Sequence, residues 1–288
     1  MTEIGAPIEA ALGTSIAARR PLGVGFGLTG LCATLDDGRR IAVKAACDGR
    51  GAPGNLATES YMLGELAHLA SLPVPDVYYS DERLLIMSWI ENDGGPISPG
   101  VERHAAELLA ALHNLRFEQF GYERDTLIGP LHQPNPLSPD WIAFFRDQRL
   151  MHMARSARDE GRLPGRLYAR LENLAGRLSD YLVAPAHPAL IHGDLWGGNV
   201  LVRGGRIAAF VDPAIYCAHP EIELAFTTMF STFGAAFFDA YEALSPLEPG
   251  FHDLRRDIYN LYPTLVHVRL FGAGYLGGVE NTLARLGL

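Results

Sequence analysis

The chain is poor in features that would place it outside the cell or in a membrane. It has three cysteines in 288 residues, at positions 32, 47 and 217, and their spacing fits neither a metal-binding motif nor a disulfide framework. A reducing cytoplasm is the compartment that this scarcity indicates. The N-terminal stretch MTEIGAPIEAALG has no basic start and no apolar core, so we expect no secretory signal peptide.

Positive charge and long apolar runs are also scarce. The chain has 24 basic and 33 acidic residues, a net charge of −9, and it has no long run of Lys or Arg. Nucleic-acid binding needs clustered cations, so we expect no nucleic-acid partner. The most apolar stretch, residues 224–238, is shorter than the roughly 20 residues that span a bilayer. We therefore expect no membrane partner and interpret this stretch as a buried helix.

The first third of the chain is patterned mainly for strands. Helices are predicted at residues 4–20 and 55–70, on either side of a glycine-rich turn. Alternating hydrophobicity predicts strands at residues 31–35, 40–45, 77–80 and 84–90. The sequence ENDGGP that follows is the best candidate linker. We therefore expect an N-terminal lobe of residues 1–91 and a C-terminal lobe of residues 92–288.

The remainder of the chain is patterned mainly for helices. Apolar spacing predicts them at about residues 101–117, 141–158, 166–183, 220–241 and 251–285. The dipeptide Gly204-Gly205 joins two short strands as a β-hairpin. The predicted fold class is therefore α+β, with a small strand-rich lobe and a larger, mostly helical lobe that carries one hairpin.

The most specific motif is HGDLWGGN at residues 192–199. Asp194 and Asn199 have the H-x-D-x4-N spacing of a phosphotransferase catalytic loop, and Asp212 follows the hairpin. In such loops the first Asp accepts the proton of an attacking hydroxyl, while the Asn and the second Asp bind Mg²⁺. We predict these three roles for Asp194, Asn199 and Asp212. The alternative is a structural loop in which Asp194 caps a turn.

Two further parts of a kinase site precede this motif in the expected order. The sequence IAVK at residues 41–44 matches the lysine strand of kinases, and strand alternation puts Ala42 and Lys44 on one face. Glu59 lies on the apolar stripe of its predicted helix. A carboxylate there needs a cationic partner, and Lys44 is the candidate.

The nucleotide is expected to lie between a glycine-rich turn and the strand that leads into the linker. Gly23, Gly25 and Gly27 precede the lysine strand, where backbone N–H groups can cradle phosphates. The residues expected to meet the adenine are Met87, Ser88, Trp89 and Ile90. ATP and Mg²⁺ are thus the predicted cofactors. The alternatives are an ordinary loop turn and an ordinary edge strand.

With these motifs the chain resembles the fructosamine-3-kinase (ketosamine-3-kinase) family, within the protein-kinase-like and aminoglycoside-phosphotransferase-like superfamily. The resemblance also rests on FGYERDTLIGPLHQPNP, DWIAFFRDQRL, DPAIYCAHPEIELA and LYPTLVHVRLFGAGYLGG. It implies a bilobal protein-kinase-like fold and ATP-dependent phosphorylation of the C3 hydroxyl of a ketosamine, either a small molecule or protein-bound. The 3-phosphate then decomposes and releases the amine, which is a deglycation activity.

The resemblance also implies roles for residues around the catalytic loop. Trp196 is expected to pack on the sugar and His267 to hydrogen-bond it, while His192 and Glu223 support the loop. Glu223 stands where Asp is common in the family. A core anchor and an ordinary helix histidine are the alternatives for Trp196 and His267. Cys32 is expected to be a buried strand cysteine without a redox role.

Two other functions fit the sequence less well. The first is a kinase of another small alcohol, of the aminoglycoside or choline type. An antibiotic-type acceptor site would need acidic residues to pair several ammonium groups, yet residues 259–278 contain no Asp or Glu. A pseudoenzyme scaffold would lack the base, a metal ligand or the lysine, and all are present. The preferred sugar and the oligomeric state stay open.

Overall fold

The computed structural model describes residues 4–46, 55–70 and 72–288. Its N-terminal part is an antiparallel five-stranded sheet in the order β1-β2-β3-β5-β4. The strands are β1 (Ile16–Leu22), β2 (Leu28–Leu35), β3 (Arg40–Ala46), β4 (Val77–Ser80) and β5 (Leu84–Ser88). Two helices accompany them, α1 (Gly5–Leu12) and α2 (Asn55–Ala70). Cys47 lies outside the described residues.

The two faces of the sheet pack against different helices. One face, which includes Val43 and Ile86, buries Ile8 of α1. On the opposite face, Leu85 and Met87 pack with α2 through apolar residues that include Leu56. Because side chains alternate along a strand, Ala42 and Lys44 share the second face. That alternation turns the lysine towards the rest of the protein.

The predicted helix at residues 4–20 is wrong beyond residue 12. Gly13 adopts a left-handed conformation with φ 67° and donates its N–H to Glu9 O, which ends α1. The next residues instead form β1, which pairs with β2 from Ile16 to Leu22. The local apolar spacing favoured a helix, but pairing along the edge of the sheet determined the strand.

The C-terminal part is mostly helical, as predicted, and the α+β fold class is confirmed. Its helices are α3 (Pro99–His113), α4 (Trp141–Phe144), α5 (Met151–Asp159), α6 (Gly165–Ala175), α7 (Pro220–Met229), α8 (Ala235–Leu244), α9 (Arg256–Phe271) and α10 (Leu276–Arg285). Its strands are β6 (Thr126–Ile128), β7 (Leu131–Gln133), β8 (Ala189–Ile191), β9 (Val200–Arg203), β10 (Arg206–Phe210) and β11 (Tyr216–Ala218). The predicted hairpin is β9–β10.

Two long helices predicted in this part are each interrupted. The segment at residues 220–241 splits into α7 and α8, so the single buried helix expected at residues 224–238 is wrong. Glu102 accepts hydrogen bonds from Gly234 N and Phe237 N and so caps the start of α8. The other segment breaks at Gly272, whose φ is 90°. The first break depends on a tertiary contact and the second on the backbone conformation of a glycine. The spacing of apolar residues reveals neither.

A pair of short strands brings the motif at residues 192–199 next to the segment that carries Asp212. β8 pairs antiparallel with β11, and Ala214 N–H donates to His192 O at 2.7 Å. The segment around Asp212 therefore lies against the segment 192–199. Among residues 4–46, 55–70 and 72–288, no helix combines the length and apolar character needed to cross a bilayer. The functional division at residue 91 stays a prediction.

The buried His219 makes stability depend on pH. Its Nδ1 accepts from Glu221 N at 3.1 Å at the start of α7. Burial, reinforced by the Arg255 guanidinium, lowers the pKa of His219 to about 3. The Glu221 carboxylate, 3.9 Å from Nε2, gives little compensation because Arg255 already binds both of its oxygens.

We therefore predict a loss of stability on mild acidification that depends on this histidine. The unfolded chain protonates His219 near pH 6.5 and the folded chain does not, so its contribution is complete above pH 6.5 and declines as the pH falls. Between pH 7.5 and 5.5 this amounts to about 1.4 kcal/mol. His219→Asn keeps a capping acceptor and should show a correspondingly smaller decline in urea unfolding. An equal decline in both proteins would contradict the prediction.

Candidate active site

A cleft of about 740 Å³ lies between the sheet and the helical part. Its lining combines the turn before β2 with β3, α2, β5, the segment 194–199, Asp212 and α9. Of the predicted site residues, thirteen line it: Gly23, Gly25, Lys44, Glu59, Met87, Ser88, Trp89, Ile90, Asp194, Trp196, Asn199, Asp212 and His267. Gly27 lies just outside this lining and turns the chain at φ 76°, whereas its neighbour Phe26 lines the cleft.

Lys44 joins three distant parts of the chain. Its Nζ donates to Glu59 Oε1 at 2.7 Å and to Asp212 Oδ1 at 2.6 Å. Burial by itself lowers the pKa of Lys44, but the two carboxylates outweigh it and raise that pKa above the ordinary value, so the ammonium stays charged. Burial raises the pKa of Glu59 above its ordinary value, and the positive charge of Lys44 offsets only part of that increase. The predicted Lys44–Glu59 pair is present, and Asp212 completes it.

Asp194 and Asn199 meet at the floor of the cleft. Asn199 Nδ2 donates to the backbone O of Asp194 at 2.9 Å and to its Oδ2 at 3.0 Å. Burial, with a further contribution from the nearby Asp212 charge, raises the pKa of Asp194 to about 7. Such a carboxylate is a stronger base than an exposed one. The remaining Oδ1 of Asn199 is available for another ligand.

The loop between β8 and Asp194 is fixed by a contact that only glycine permits. Gly193 has φ +85°, and a Cβ there would lie 2.1 Å from the backbone O of Ala214. Its N–H donates to Glu223 Oε1 at 2.6 Å. His192 is buried, and its Nδ1 accepts from Asp194 N at 3.3 Å. His192 and Glu223 therefore touch the loop backbone outside the cleft.

Glu223 is itself held by residues that the sequence prediction missed. Its Oε2 contacts His113 Nε2 at 2.8 Å, and His113 Nδ1 contacts the Tyr241 hydroxyl at 2.7 Å. His113 follows the buried Leu109 by four positions on α3. That spacing puts His113 on the apolar face of the helix. It is the feature of the sequence from which a buried role for His113 could have been predicted.

Glu65, six residues after Glu59 on α2, is also hydrogen-bonded. Its Oε2 accepts from the Tyr122 hydroxyl at 2.6 Å. Tyr61 on the same helix donates to Glu123 Oε1 at 2.8 Å. These contacts attach α2 to the segment after α3. They restrict the movement of the helix that carries Glu59.

The segment after β5 offers one candidate amide to a bound base. Met87 pairs with Ala42 in the sheet, while Ser88 N–H donates to Asp76 O and Trp89 N–H to Arg40 O. The guanidinium groups of Arg20 and Arg40 each lie over the Trp89 ring, at 5.0 and 5.2 Å from its centroid. Ile90 is then the residue of this segment best placed to offer its amide.

Trp196 and His267 lie at the other end of the cleft. Trp196 is exposed, and its ring covers Gly198, where a Cβ would come within 2.3 Å of the indole. His267 Nδ1 donates to Pro263 O at 2.7 Å, which leaves Nε2 as an acceptor. Burial lowers the pKa of His267. The predicted acceptor residues thus share one end of the cleft.

Comparison with known proteins places this chain in a defined group. The family model described as fructosamine kinase matches residues 3–287. The probable ketoamine kinase of Enterococcus faecium is 35% identical over 219 residues, 74% of this chain and 77% of its own length. The chloroplastic protein-ribulosamine 3-kinase of Arabidopsis thaliana is 30% identical, over 77% of this chain and 69% of its own.

A solved structure shows the same fold. The crystal structure of a candidate fructosamine-3-kinase from Thermobifida fusca is 31% identical and covers 99% of this chain and 98% of its own, with a TM-score of 0.87. The predicted kinase-like α+β fold is therefore confirmed. Within this fold, the glycine-rich turn, Lys44 and the segment 194–199 line one cleft.

We predict that Gly193→Ala damages the loop while Gly197→Ala does not. A Cβ at residue 193 would collide with the Ala214 carbonyl, whereas one at residue 197 meets no atom within 4 Å. Gly193→Ala should lose more than about 2 kcal/mol of unfolding free energy and Gly197→Ala less than about 0.5. Urea unfolding measures both. Equal stability of the two variants would show that residue 193 does not need the close approach.

Proposed function

The chain belongs to the fructosamine kinase family, and from this we propose that it is an ATP- and Mg²⁺-dependent kinase of the C3 hydroxyl of ketosamines. The observation that carries the proposal is the position of Lys44, which bonds both Glu59 and Asp212 in the cleft that also contains Asp194. This Lys–Glu–Asp arrangement is the one that aligns a nucleotide for phosphoryl transfer.

In the proposed reaction Asp194 accepts the proton of the C3 hydroxyl as its oxygen attacks the γ-phosphorus of ATP. The bond between that phosphorus and the β–γ bridging oxygen breaks, and ADP leaves. The raised pKa of Asp194 suits this proton transfer. Lys44 offsets charge on the phosphates, while Glu59 holds the lysine in place.

The donor set of the cleft fits magnesium. Asn199 Oδ1 and the second oxygen of Asp212 are hard ligands, which Mg²⁺ combines with water and phosphate oxygens. The described residues contain no cluster of three or more His, Cys, Asp or Glu that could hold a metal without such help. When bound, the ion would neutralise phosphate charge. Asn199 and Asp212 would hold it.

We propose the following places for the two substrates. The nucleotide lies between the predicted lobes 1–91 and 92–288, with its phosphates under Gly23 and Gly25. Met87, Ser88, Trp89 and Ile90 surround the adenine, and the Ile90 amide bonds it. The ketosamine packs on Trp196 and bonds His267, and a cytoplasmic location is part of the same proposal.

We predict that Asp194→Asn abolishes most acceptor-dependent turnover without unfolding the protein. The amide keeps the shape of the side chain but cannot accept the proton, so kcat/KM should fall about a thousandfold. Coupled detection of ADP with ATP, Mg²⁺ and a ribulosamine or fructosamine measures this loss. Asp239→Asn, at an exposed position of α8, is the matched control. Activity without any ketosamine preference would contradict the proposed function.

We predict that Trp196→Ala raises KM for the ketosamine more than it lowers kcat. A stacking contact that is equal in ground and transition states contributes to binding alone, and KM should rise about tenfold. KM for ATP should not change. Trp196→Phe keeps an aromatic face and should retain part of the affinity. A loss of thermal stability with unchanged KM would instead indicate a core anchor.

A further inference from the structure

Among the described residues, the exposed Phe and Trp side chains gather around one end of the cleft: Phe26, Trp196 and Phe271 line it, and Phe230 contacts Trp196 from outside the lining. The described part of the chain exposes four Phe or Trp side chains by more than a third: Phe26 at 49%, Trp196 at 43%, Phe230 at 40% and Phe271 at 57%. His267 joins Phe230 to Phe271, while Trp196 contacts Phe230 and Phe26 contacts Phe271. We call these five residues the aromatic arc.

The arc is continuous from the catalytic loop to the glycine-rich turn. Ring centroids are 6.2 Å apart for Trp196 and Phe230, and 5.1 Å for Phe230 and His267. They are 5.3 Å apart for His267 and Phe271, and 6.3 Å for Phe271 and Phe26. The arc starts two residues after Asp194. Because Asp194, Trp196, His267 and Phe271 line the same cleft, an acceptor bound at Asp194 can reach the arc.

Phe26 occupies the arc in an unfavourable backbone conformation. Its φ is 60°, in the left-handed region that bulky residues avoid. Its ring still packs over Gly129, where a Cβ would lie 3.3 Å away, and nearly half of the side chain remains exposed. Strain without full burial is typical of residues that act on a ligand. The turn thus contributes a ring to the cleft as well as its backbone.

None of the described charged side chains that line the cleft belongs to the arc, and the one nearest to it along the chain is Asp194. The charged side chains among the described lining residues are Lys44, Glu59, Asp194 and Asp212, and Lys44 pairs with Glu59 and Asp212. Leu270 and Phe271 line the arc's end of the cleft together with residues 127–130, which are Leu, Ile, Gly and Pro. An ammonium or carboxylate at the far end of an acceptor would meet no ionic partner there.

We propose that the aromatic arc is a subsite for the amine-derived part of the ketosamine and that it selects an aromatic N-substituent. This inference rests on the proposed function. With the C3 hydroxyl at Asp194 and the sugar on Trp196, the amine projects towards His267 and Phe271. A secondary ammonium is stabilised over ring faces. A flat N-substituent gains offset or edge-on stacking, which an alkyl or charged group does not.

The test compares acceptors that share one sugar and differ in the amine. The ribulosamines of benzylamine, glycine and Nα-acetyl-lysine, in which the amine nitrogen is bonded to C1 of a 1-deoxyribulosyl group, are each supplied with ATP and Mg²⁺. The measured quantity is kcat/KM for each compound. The benzylamine adduct should exceed the glycine adduct at least about tenfold. Phe271→Ala should remove most of that ratio by lowering the efficiency of the benzylamine adduct alone.

Two further variants separate the loss of a ring from a loss of folding. Phe271→Leu keeps most of the apolar volume and should also reduce the ratio, with an unchanged thermal melt. Leu244→Ala changes a side chain that is 54% exposed and lies outside the cleft lining. It should leave the ratio at the wild-type value. A ratio that falls in Leu244→Ala as well would overturn the assignment to the arc.

The remaining outcomes distinguish a failure of the proposed subsite from a failure of the proposed kinase function. Equal efficiency for all three adducts overturns the subsite and leaves the ketosamine kinase function standing. A preference for the Nα-acetyl-lysine adduct also overturns it, in favour of glycated protein lysine as substrate. No turnover of any ketosamine by the wild-type protein overturns the proposed function together with the subsite.

Discussion

A buried lysine that needs two carboxylates is the constraint on which this structure depends. The Lys44 ammonium would be unstable in its position without Glu59 and Asp212, because an unpaired buried charge is costly. The three side chains come from β3, from α2 and from the segment after the β9–β10 hairpin. Satisfying one charge therefore brings the sheet, its helix and the catalytic segment together. The cleft is formed by that convergence.

A second constraint shapes the loop that carries Asp194. Gly193 approaches the Ala214 carbonyl more closely than any other residue type could, and Glu223 accepts its N–H. Glu223 is in turn held by His113 from α3. The loop is thus supported by buried hydrogen bonds rather than by apolar packing alone. Rigid support of this kind suits phosphoryl transfer, in which positioning supplies much of the catalysis.

Charged side chains and aromatic rings occupy different parts of the cleft. Its charged side chains include Lys44, which bonds both Glu59 and Asp212, while exposed rings line the end beyond Trp196. A polyphosphate and a divalent ion fit the first end. A sugar with an apolar amine substituent fits the second, since ring faces attract sugar C–H groups and cationic nitrogen alike. Asp194 lies where the two ends meet.

Local spacing and turn chemistry were enough to identify the motif residues, the hairpin and α2 before folding was considered. The sequence alone could not determine β1, the break before α8 or the environment of Glu65. Those depend on strand pairing, on capping by Glu102 and on the Tyr122 hydroxyl, which are contacts between segments remote in the chain. The aromatic arc was likewise decided by tertiary structure alone, because its rings come from separate segments. Periodicity reports which face of an element is apolar, and only folding decides what that face meets.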